Sequence, residues 1–221
     1  MERALENKPT APRLNKPVLW IIAGPNGSGK SSAYGMLAVE SPKDSVWIIN
    51  PDLLAKRIHE HEGCVLTDAN LQAVKRIETW LYASVDAYQT VGVETVLSSP
   101  KYQKLVTQAK SKGFEINLIF VYLRSVDLNI ERVRLRVKRG GHDVPEDKIR
   151  ERRVRSFDQL SWFFKAVDRA FIFDNSDAEP KLIFGKEAED RMVSYGAASY
   201  EIKQSLTRAY PELSSFWKPA R

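Results

Sequence analysis

Residues 24–31 read GPNGSGKS and fit the spacing G-x-x-x-x-G-K-[ST] in full. A buried strand is predicted directly before this loop (VLWIIA, residues 18–23) and a helix directly after it, which is the context that the pattern requires. The glycines let successive backbone N–H groups point at phosphate oxygens, and the helix N-terminus adds its partial positive charge. The sequence therefore predicts a nucleoside triphosphate site, in which Lys30 reaches the β- and γ-phosphates and the Ser31 hydroxyl binds Mg²⁺. The expected nucleotide contacts are Gly24, Asn26, Gly27, Ser28, Gly29, Lys30, Ser31 and Ser32.

Two carboxylates are candidates for chemistry on the bound phosphates. Transfer to a hydroxyl needs a carboxylate close to the γ-phosphate, where it accepts or orients the hydroxyl proton. Asp52 follows the second predicted strand (SVWIIN, residues 45–50), which the expected strand order places beside the loop, with Glu94 one strand further on. Asp is also a frequent N-cap, so Asp52 has a second, compatible role as the cap of the helix LLAKRIHE. Glu94 lies in the apolar stretch VGVETVL, where a lone carboxylate is costly unless it is paired or used, and we expect it to hold substrate hydroxyls or the metal.

Other classes of triphosphate-binding protein are disfavoured by the residues at the ends of the later strands. Motor ATPases and GTPases place a Mg²⁺-holding Asp at the end of a later apolar strand. The fourth predicted strand, LIFVYL, ends in Arg124 and Ser125, and the fifth ends in Asp174 only near the far end of the chain. The sequence also contains no N-K-x-D motif. These features argue against a motor or a GTPase switch and favour a kinase.

Arginines are concentrated in two predicted helices on either side of Gly140 and Gly141. Helical spacing places the arginines of each helix on a common face. We predict a lid over about residues 126–156 that closes over the phosphates, excludes water and neutralises the charge that develops during transfer. A solvated basic face is the alternative, whereas a single-strand nucleic-acid groove lacks its interleaved aromatic residues. The lid arginines are Arg132, Arg136 and Arg139 on the first helix and Arg150 and Arg153 on the second.

Strands and helices alternate along the chain, which predicts an α/β fold with a parallel five-stranded sheet and helices on both faces. Ligands in such sheets bind beyond the carboxyl ends of the strands, where the loop and the polar residues above would converge. We predict a loose leader at residues 1–16 and a single nucleoside-kinase-like domain at residues 17–221. Within that domain, residues 186–221 are expected to form a helical tail.

The composition limits the class of protein further. The chain has 221 residues and a formal net charge of +6, and such an excess suits an anionic partner. No apolar run is long enough to span a bilayer, and the N-terminus lacks the apolar region of a secretory signal. The single cysteine, Cys64, fits a reducing compartment, so we expect a cytoplasmic protein without a membrane partner. His59, His61 and His142 show no metal-ligand spacing, and the first two are expected to be exposed.

Five segments, GPNGSGKS, IINPD, VETVLSS, RVRLRVKRGGHDVPEDKIRERRVRS and FDNS, together resemble the zeta-toxin family of P-loop kinases. The likeness extends over about residues 18–180 and is closest to the branch described as predicted ATPases. The resemblance implies an ATP- and Mg²⁺-dependent kinase of toxin–antitoxin type, with an antitoxin protein as partner. Well-known members of the family phosphorylate a sugar hydroxyl of UDP-N-acetylglucosamine.

The resemblance also implies roles for particular residues. Lys30 and Ser31 would hold the ATP phosphates and the metal, Asp52 would be the catalytic base, and Glu94 with Thr95 would contact the sugar. Arg132 or Arg136 would match the first lid arginine of the family. The second family arginine precedes a Thr-Pro step, where the segment HDVP departs from the pattern and offers His142 instead. Arg139 or Arg150 is therefore expected to replace it.

Two other functions remain open from the residues alone. One is a kinase of a different hydroxyl acceptor, such as a nucleoside, an antibiotic or a nucleic-acid 5′-OH. The other is a nucleotide-dependent interaction protein whose ATP site regulates a partner.

Overall fold

A computed structural model describes residues 16–31, 47–188 and 191–217. Ser32 and most of the predicted leader lie outside these residues. The strands are β1 (Val18–Ala23), β2 (Trp47–Ile49), β3 (Val91–Thr95), β4 (Glu115–Tyr122), β5 (Arg169–Asp174), β6 (Lys181–Ala188) and β7 (Arg191–Ser194). The helices are α1 (Pro51–Glu62), α2 (Leu66–Asp86), α3 (Gln103–Ser111), α4 (Val126–Lys138), α5 (Glu146–Ala166) and α6 (Tyr200–Ala209), with 3₁₀ turns at Pro100–Tyr102 and Pro211–Trp217.

The described strands form one seven-stranded sheet in the order β2-β3-β1-β4-β5-β6-β7. Strands β1 to β5 are parallel to one another, which confirms the predicted α/β fold. The predicted number of five strands is wrong for the whole sheet, because β6 and β7 add an antiparallel hairpin at the β5 edge. We predicted a helical tail from residue 186, but the hairpin extends to Ser194, so that part of the prediction is wrong. The first helix after the hairpin is α6.

Sequence patterning missed the hairpin because antiparallel strands do not need the continuous apolar run of a buried parallel strand. In β6 the buried positions include Ile183, Phe184 and Lys186, so a charged residue interrupts the pattern. In β7 no side chain is fully buried.

The strand order changes the predicted neighbours of the loop. Strand β3 lies between β1 and β2, and its register pairs Ile22 with Glu94 and Ala23 with Thr95. The strand beside the loop therefore carries Glu94, while Asp52 follows β2 one strand further away. The expectation that Asp52 lies next to the loop and Glu94 beyond it is wrong, because β2 and β1 are not adjacent.

The main core packs helices against β1, β3, β4 and β5, with side chains such as Leu19, Phe120 and Phe163 fully buried. This core fixes the carboxyl ends of the strands, from which the loop and the acidic residues extend. No helix among the residues described here is long and apolar enough to cross a membrane.

Lys186 of β6 is a buried cation that closes the C-terminal end of α5. Its Nζ donates to the carbonyl oxygens of Phe164 (3.0 Å) and Val167 (2.7 Å) and to the Tyr210 hydroxyl (3.0 Å). These carbonyls belong to the last turn and the cap of α5, where helices lack internal donors. Lys186 therefore joins α5, the hairpin and the C-terminal segment.

Replacing Lys186 with methionine is expected to lower the free energy of unfolding by about 3 kcal/mol, since buried carbonyls lose a charged donor. Lys181→Met is the matched control in the same strand, because Lys181 is exposed and forms a surface ion pair with Asp177. That control should change stability by less than about 1 kcal/mol. Chemical denaturation of both variants measures the difference, and equal losses would contradict the capping role.

Candidate active site

The predicted phosphate loop connects β1 to a helix that begins at Lys30. Gly24 and Gly27 have φ angles of 145° and 73°, in the region that glycine tolerates. A Cβ at Gly24 would lie 2.0 Å from the carbonyl oxygen of Val121, and one at Gly27 would lie 2.5 Å from that of Asn129. The loop can therefore adopt this shape against β4 and α4 only with glycine at both positions.

Gly24→Ala should distort the loop, because backbone rather than a flexible side chain occupies the space of the new methyl group. We expect nucleotide affinity to fall by at least about tenfold, with a Tm loss greater than that of the control. The matched control is Gly63→Ala after α1, where φ is 68° but no atom of the described residues beyond its chain neighbours lies within 4 Å of the position that the new methyl group would take. Gly63→Ala should cost only the strain of about 1–2 kcal/mol of an alanine in the left-handed conformation. Calorimetric titration with nucleotide compares the affinities of the two variants.

Lys30 is buried inside the loop. Its Nζ donates to the carbonyl oxygens of Gly24 (2.9 Å) and Pro25 (3.2 Å). Burial lowers the pKa of the ammonium group, Glu94 and Asp52 oppose that shift, and Arg136 adds to it. A polyphosphate would supply the negative charge that this desolvated cation lacks, so the loop fits the donor half of a phosphoryl-transfer site.

The interior of the loop also has unused hydrogen-bonding capacity. Asn26 Oδ1 and Ser28 Oγ are buried and have no hydrogen-bond partner among the described residues. Buried polar atoms are rarely left unpaired, so both atoms fit a ligand in the loop. The Ser28 hydroxyl can donate to a phosphate oxygen of a nucleoside triphosphate, whereas Asn26 Oδ1 only accepts and needs a donor such as a ribose hydroxyl or a water molecule.

Ser31 and Glu94 form the oxygen-rich side of the loop. Ser31 Oγ donates to Glu94 Oε2 at 2.8 Å, and Asn50 Nδ2 donates to the same oxygen at 3.0 Å. This pairing explains how the carboxylate is tolerated at 8% exposure within β3. A hydroxyl and a carboxylate are ligands suited to Mg²⁺, which takes its remaining ligands from waters and substrate phosphates. Accordingly, no cluster of three or more His, Cys, Asp or Glu ligands is needed, and none occurs among residues 16–31, 47–188 and 191–217.

Asp52 is not the N-cap of α1. Asn50 has that role, because its Oδ1 accepts from the backbone N–H groups of Asp52 (2.9 Å) and Leu53 (3.3 Å). Asn50 thus caps α1 with one amide atom and holds Glu94 with the other, a function that the motif NPD did not reveal. The side chain of Asp52 lies in the first turn of α1 and lines a cavity.

Two cavities meet beside the loop. The first, about 560 Å³, is lined by the loop, Glu94 and α4, and the second, about 740 Å³, is lined by α1 and residues 140–143. Ser31, Arg136 and Gly141 line both. A donor in the first cavity and an acceptor in the second would therefore come together at Ser31 and Arg136.

Three of the predicted lid arginines lie at the first cavity: Arg132, Arg136 and Arg139. Arg132 Nη2 donates to the carbonyl oxygen of Asn175 at 2.7 Å. Arg136 Nη2 donates to the carbonyl oxygen of His142 at 2.7 Å. The buried Nε of Arg136 has no hydrogen-bond partner among the described residues. The HDVP segment thus supplies a backbone carbonyl that orients Arg136.

The other predicted contacts lie elsewhere. Arg150 pairs with Asp127 at 3.2 Å on the surface and lines neither cavity, so we leave it out of the proposed site. Arg153 is buried rather than on a lid face, because it lies on the side of α5 that carries the buried residues Ile149 and Phe157. Thr95 lines neither cavity, and its Oγ1 accepts from the backbone N–H of Leu97 at 3.0 Å.

Two buried asparagines hold the loop, Asn129 and Asn175, and the sequence indicated only Asn175, through the motif FDNS. Asn129 Nδ2 donates to the carbonyl oxygen of Asn26 at 2.7 Å, and Asn175 Nδ2 donates to that of Ser28 at 2.8 Å. The signal for Asn129 is an amide on the apolar face of α4, and the signal for Asn175 is the motif FDNS after β5. Both anchor the loop from the β4 and β5 side.

His59 is a further residue of the second cavity. It is exposed, as predicted, and its Nδ1 lies 2.7 Å from the carbonyl oxygen of Cys64. Since a carbonyl only accepts, Nδ1 carries the proton, and the Nε2 atom of the neutral ring is available as an acceptor.

The fold and this site together define a P-loop kinase: a mainly parallel sheet, a phosphate loop after its first strand and an arginine-lined cleft. The chain belongs to the zeta toxin family, whose model matches residues 1–181. An uncharacterized protein of Haemophilus influenzae is 27% identical over 139 residues, which are 62% of this chain and 92% of that protein.

Solved structures of low identity show the same fold. The PezAT toxin–antitoxin system of Streptococcus pneumoniae matches with a TM-score of 0.61 and 14% identity, over 91% of this chain and 86% of the other. AvrRxo1-ORF1 in complex with ORF2 matches with a TM-score of 0.63 and 16% identity, over 82% of this chain. This chain spans only 62% of the length of that protein, which has also been solved with ATP.

Proposed function

We propose that this chain is an ATP- and Mg²⁺-dependent kinase that transfers the γ-phosphoryl group to a hydroxyl of a nucleotide sugar such as UDP-N-acetylglucosamine. The meeting of two cavities at Ser31 and Arg136, with Asp52 on the acceptor side, carries the proposal. A hydrolase or a switch needs only the donor cavity. A second cavity lined by a carboxylate is what a transferase with an alcohol acceptor requires.

In this proposal the loop residues and Lys30 hold the triphosphate in the first cavity. Arg132 of α4 and Arg139, directly after α4, contact its phosphates. The Ser31 hydroxyl and Glu94 would hold the Mg²⁺, which would supply neutralisation of the phosphate charge. The lid from α4 into the start of α5 closes over the donor and excludes water.

Asp52 accepts the proton of the attacking hydroxyl as the oxygen–phosphorus bond forms and the bond to the ADP oxygen breaks. Arg136 lies between the two cavities and stabilises the charge on the phosphoryl group during transfer. Glu94 Oε2 accepts from Ser31 Oγ and Asn50 Nδ2, and the Ser31 hydroxyl is the proposed metal ligand, so we assign Glu94 to the metal rather than to the base.

Family membership supports the choice of a nucleotide sugar, and the volume of the second cavity lies within the range of small-ligand sites. An antitoxin protein is the proposed partner, in line with the complexes in which two structural neighbours were solved. Mass spectrometry of a cell extract incubated with the protein, ATP and Mg²⁺ tests the proposal. A metabolite heavier by one phosphate group supports it and names the acceptor. Unchanged metabolites together with ATP-dependent release of a protein partner would favour an interaction protein.

A further inference from the structure

A buried chain of hydrogen bonds connects the C-terminal helix to the phosphate loop. Glu201 of α6 accepts from Arg153 Nη2 at 2.9 Å, and Arg153 Nη1 donates to Asn129 Oδ1 at 2.9 Å. Asn129 Nδ2 then donates to the carbonyl oxygen of Asn26 in the loop at 2.7 Å. Since a guanidinium only donates, Asn129 must present its oxygen to Arg153 and its NH₂ group to the loop.

The middle of this chain is well enclosed. Arg153 is 5% exposed and Asn129 is 0% exposed. Arg153 Nη1 also donates to the carbonyl oxygen of Leu123 at the end of β4, at 2.8 Å, and its guanidinium lies 4.8 Å from the ring centre of Phe157. With its position fixed on three sides, Arg153 can hold the Asn129 amide in a single orientation.

Glu201 completes the charge balance of Arg153. Partial burial acts to raise the pKa of Glu201, but hydrogen bonds from its own backbone N–H and from Arg153 outweigh it, so its pKa lies below the ordinary value. A buried guanidinium without a carboxylate partner is unfavourable, so Arg153 depends on α6. Helix α6 lies beyond residues 1–181, the part of the chain that the family model matches.

We propose that Arg153 and Glu201 are positioning residues through which the C-terminal segment fixes the phosphate loop for the nucleotide. The segment outside the family match thereby completes the donor site without touching the nucleotide. The inference rests on the proposed use of the loop for a nucleotide, but it does not depend on the identity of the acceptor.

Calorimetric titration with Mg²⁺ and the non-hydrolysable analogue adenylyl imidodiphosphate tests this inference on the full chain. Asn129→Ala should raise the Kd about tenfold, as expected on losing the partner that orients a binding group. Glu201→Gln should raise it about threefold, because a neutral amide keeps only a weaker hydrogen bond to Arg153. The effect of Glu201→Gln should vanish when Asn129 is already alanine, because the chain is then interrupted.

Asp158→Asn is the matched control. Asp158 pairs with Arg208 at 2.9 Å and also joins α5 to α6, but this exposed pair has no connection to the loop. The control should leave the Kd unchanged even where it lowers the Tm. If Asn129→Ala does not fold, Arg153→Met interrupts the chain in its place.

The outcomes separate this inference from the proposed function. A Kd for Glu201→Gln equal to that of the wild type or of the control would overturn the positioning role. Additive effects of Glu201→Gln and Asn129→Ala would also overturn it. A wild-type protein that does not bind the analogue at all would instead contradict the donor site itself.

Discussion

Lys30→Met is expected to lower the rate of phosphoryl transfer by at least about a hundredfold, because the site loses a fixed cation at the phosphates. Methionine retains most of the volume of the lysine stem, so the loop keeps its packing. The ammonium group is buried and bonded only to the carbonyl oxygens of Gly24 and Pro25 among its described hydrogen-bond acceptors. We therefore infer that the positive charge of Lys30 serves to bind a ligand and does not stabilise the fold.

Lys30→Met is also expected to have an unusual effect on stability. Burial lowers the pKa of Lys30, which means that the charged form is disfavoured in the protein without nucleotide. Lys30→Met removes this desolvation cost but also leaves the carbonyl oxygens of Gly24 and Pro25 without their donor, so the two effects oppose each other. The free energy of unfolding should therefore fall by less than it does in Lys186→Met, while Tm stabilisation by ATP is lost. Lys75→Met on the exposed side of α2 is the control and should alter neither activity nor ATP stabilisation. Near-normal transfer by Lys30→Met would rule out the donor site as described.

The second large effect is expected for Asp52→Asn. Loss of a general base typically lowers the rate by about 10²–10⁴-fold, and kcat should fall by that amount here. The backbone N–H of residue 52 continues to bond Asn50, so α1 remains capped. Nucleotide Kd should change by less than about twofold, since Asp52 lines only the acceptor cavity.

Asp68→Asn is the matched control for this substitution. Asp68 is an exposed acid in the first turn of α2, the neighbouring helix, and lines neither cavity of the site. Steady-state kinetics with the identified acceptor and separate nucleotide titrations measure both quantities. Full transfer by Asp52→Asn would show that another group accepts the proton.

The loop was predictable because its residues are contiguous and each has a local requirement. Its glycines satisfy backbone geometry, and its lysine and serine follow at fixed spacing in a strand-to-helix context. The relation between Asp52 and Glu94 was not predictable in the same way. It depends on the strand order, because β3 lies between β1 and β2. Long-range contacts determine that order, and it cannot be read from the sequence of each segment alone.

The arginines illustrate the same difference. Helical spacing correctly placed Arg132, Arg136 and Arg139 together, and all three line the donor cavity. Spacing also grouped Arg150 with Arg153, yet one lies in a surface ion pair and the other is buried against Asn129. Which side of a helix faces the core depends on the surrounding elements, and here Arg153 is enclosed by the end of β4, by α4 and by α6.

The most direct test of the central claim is transfer of labelled γ-phosphate from ATP, with Mg²⁺, into a pool of small metabolites that includes UDP-N-acetylglucosamine. The wild-type protein should place the label on a hydroxyl of one metabolite, and Asp52→Asn should not. Release of all the label as inorganic phosphate, or labelling that Asp52→Asn supports equally well, would contradict the account.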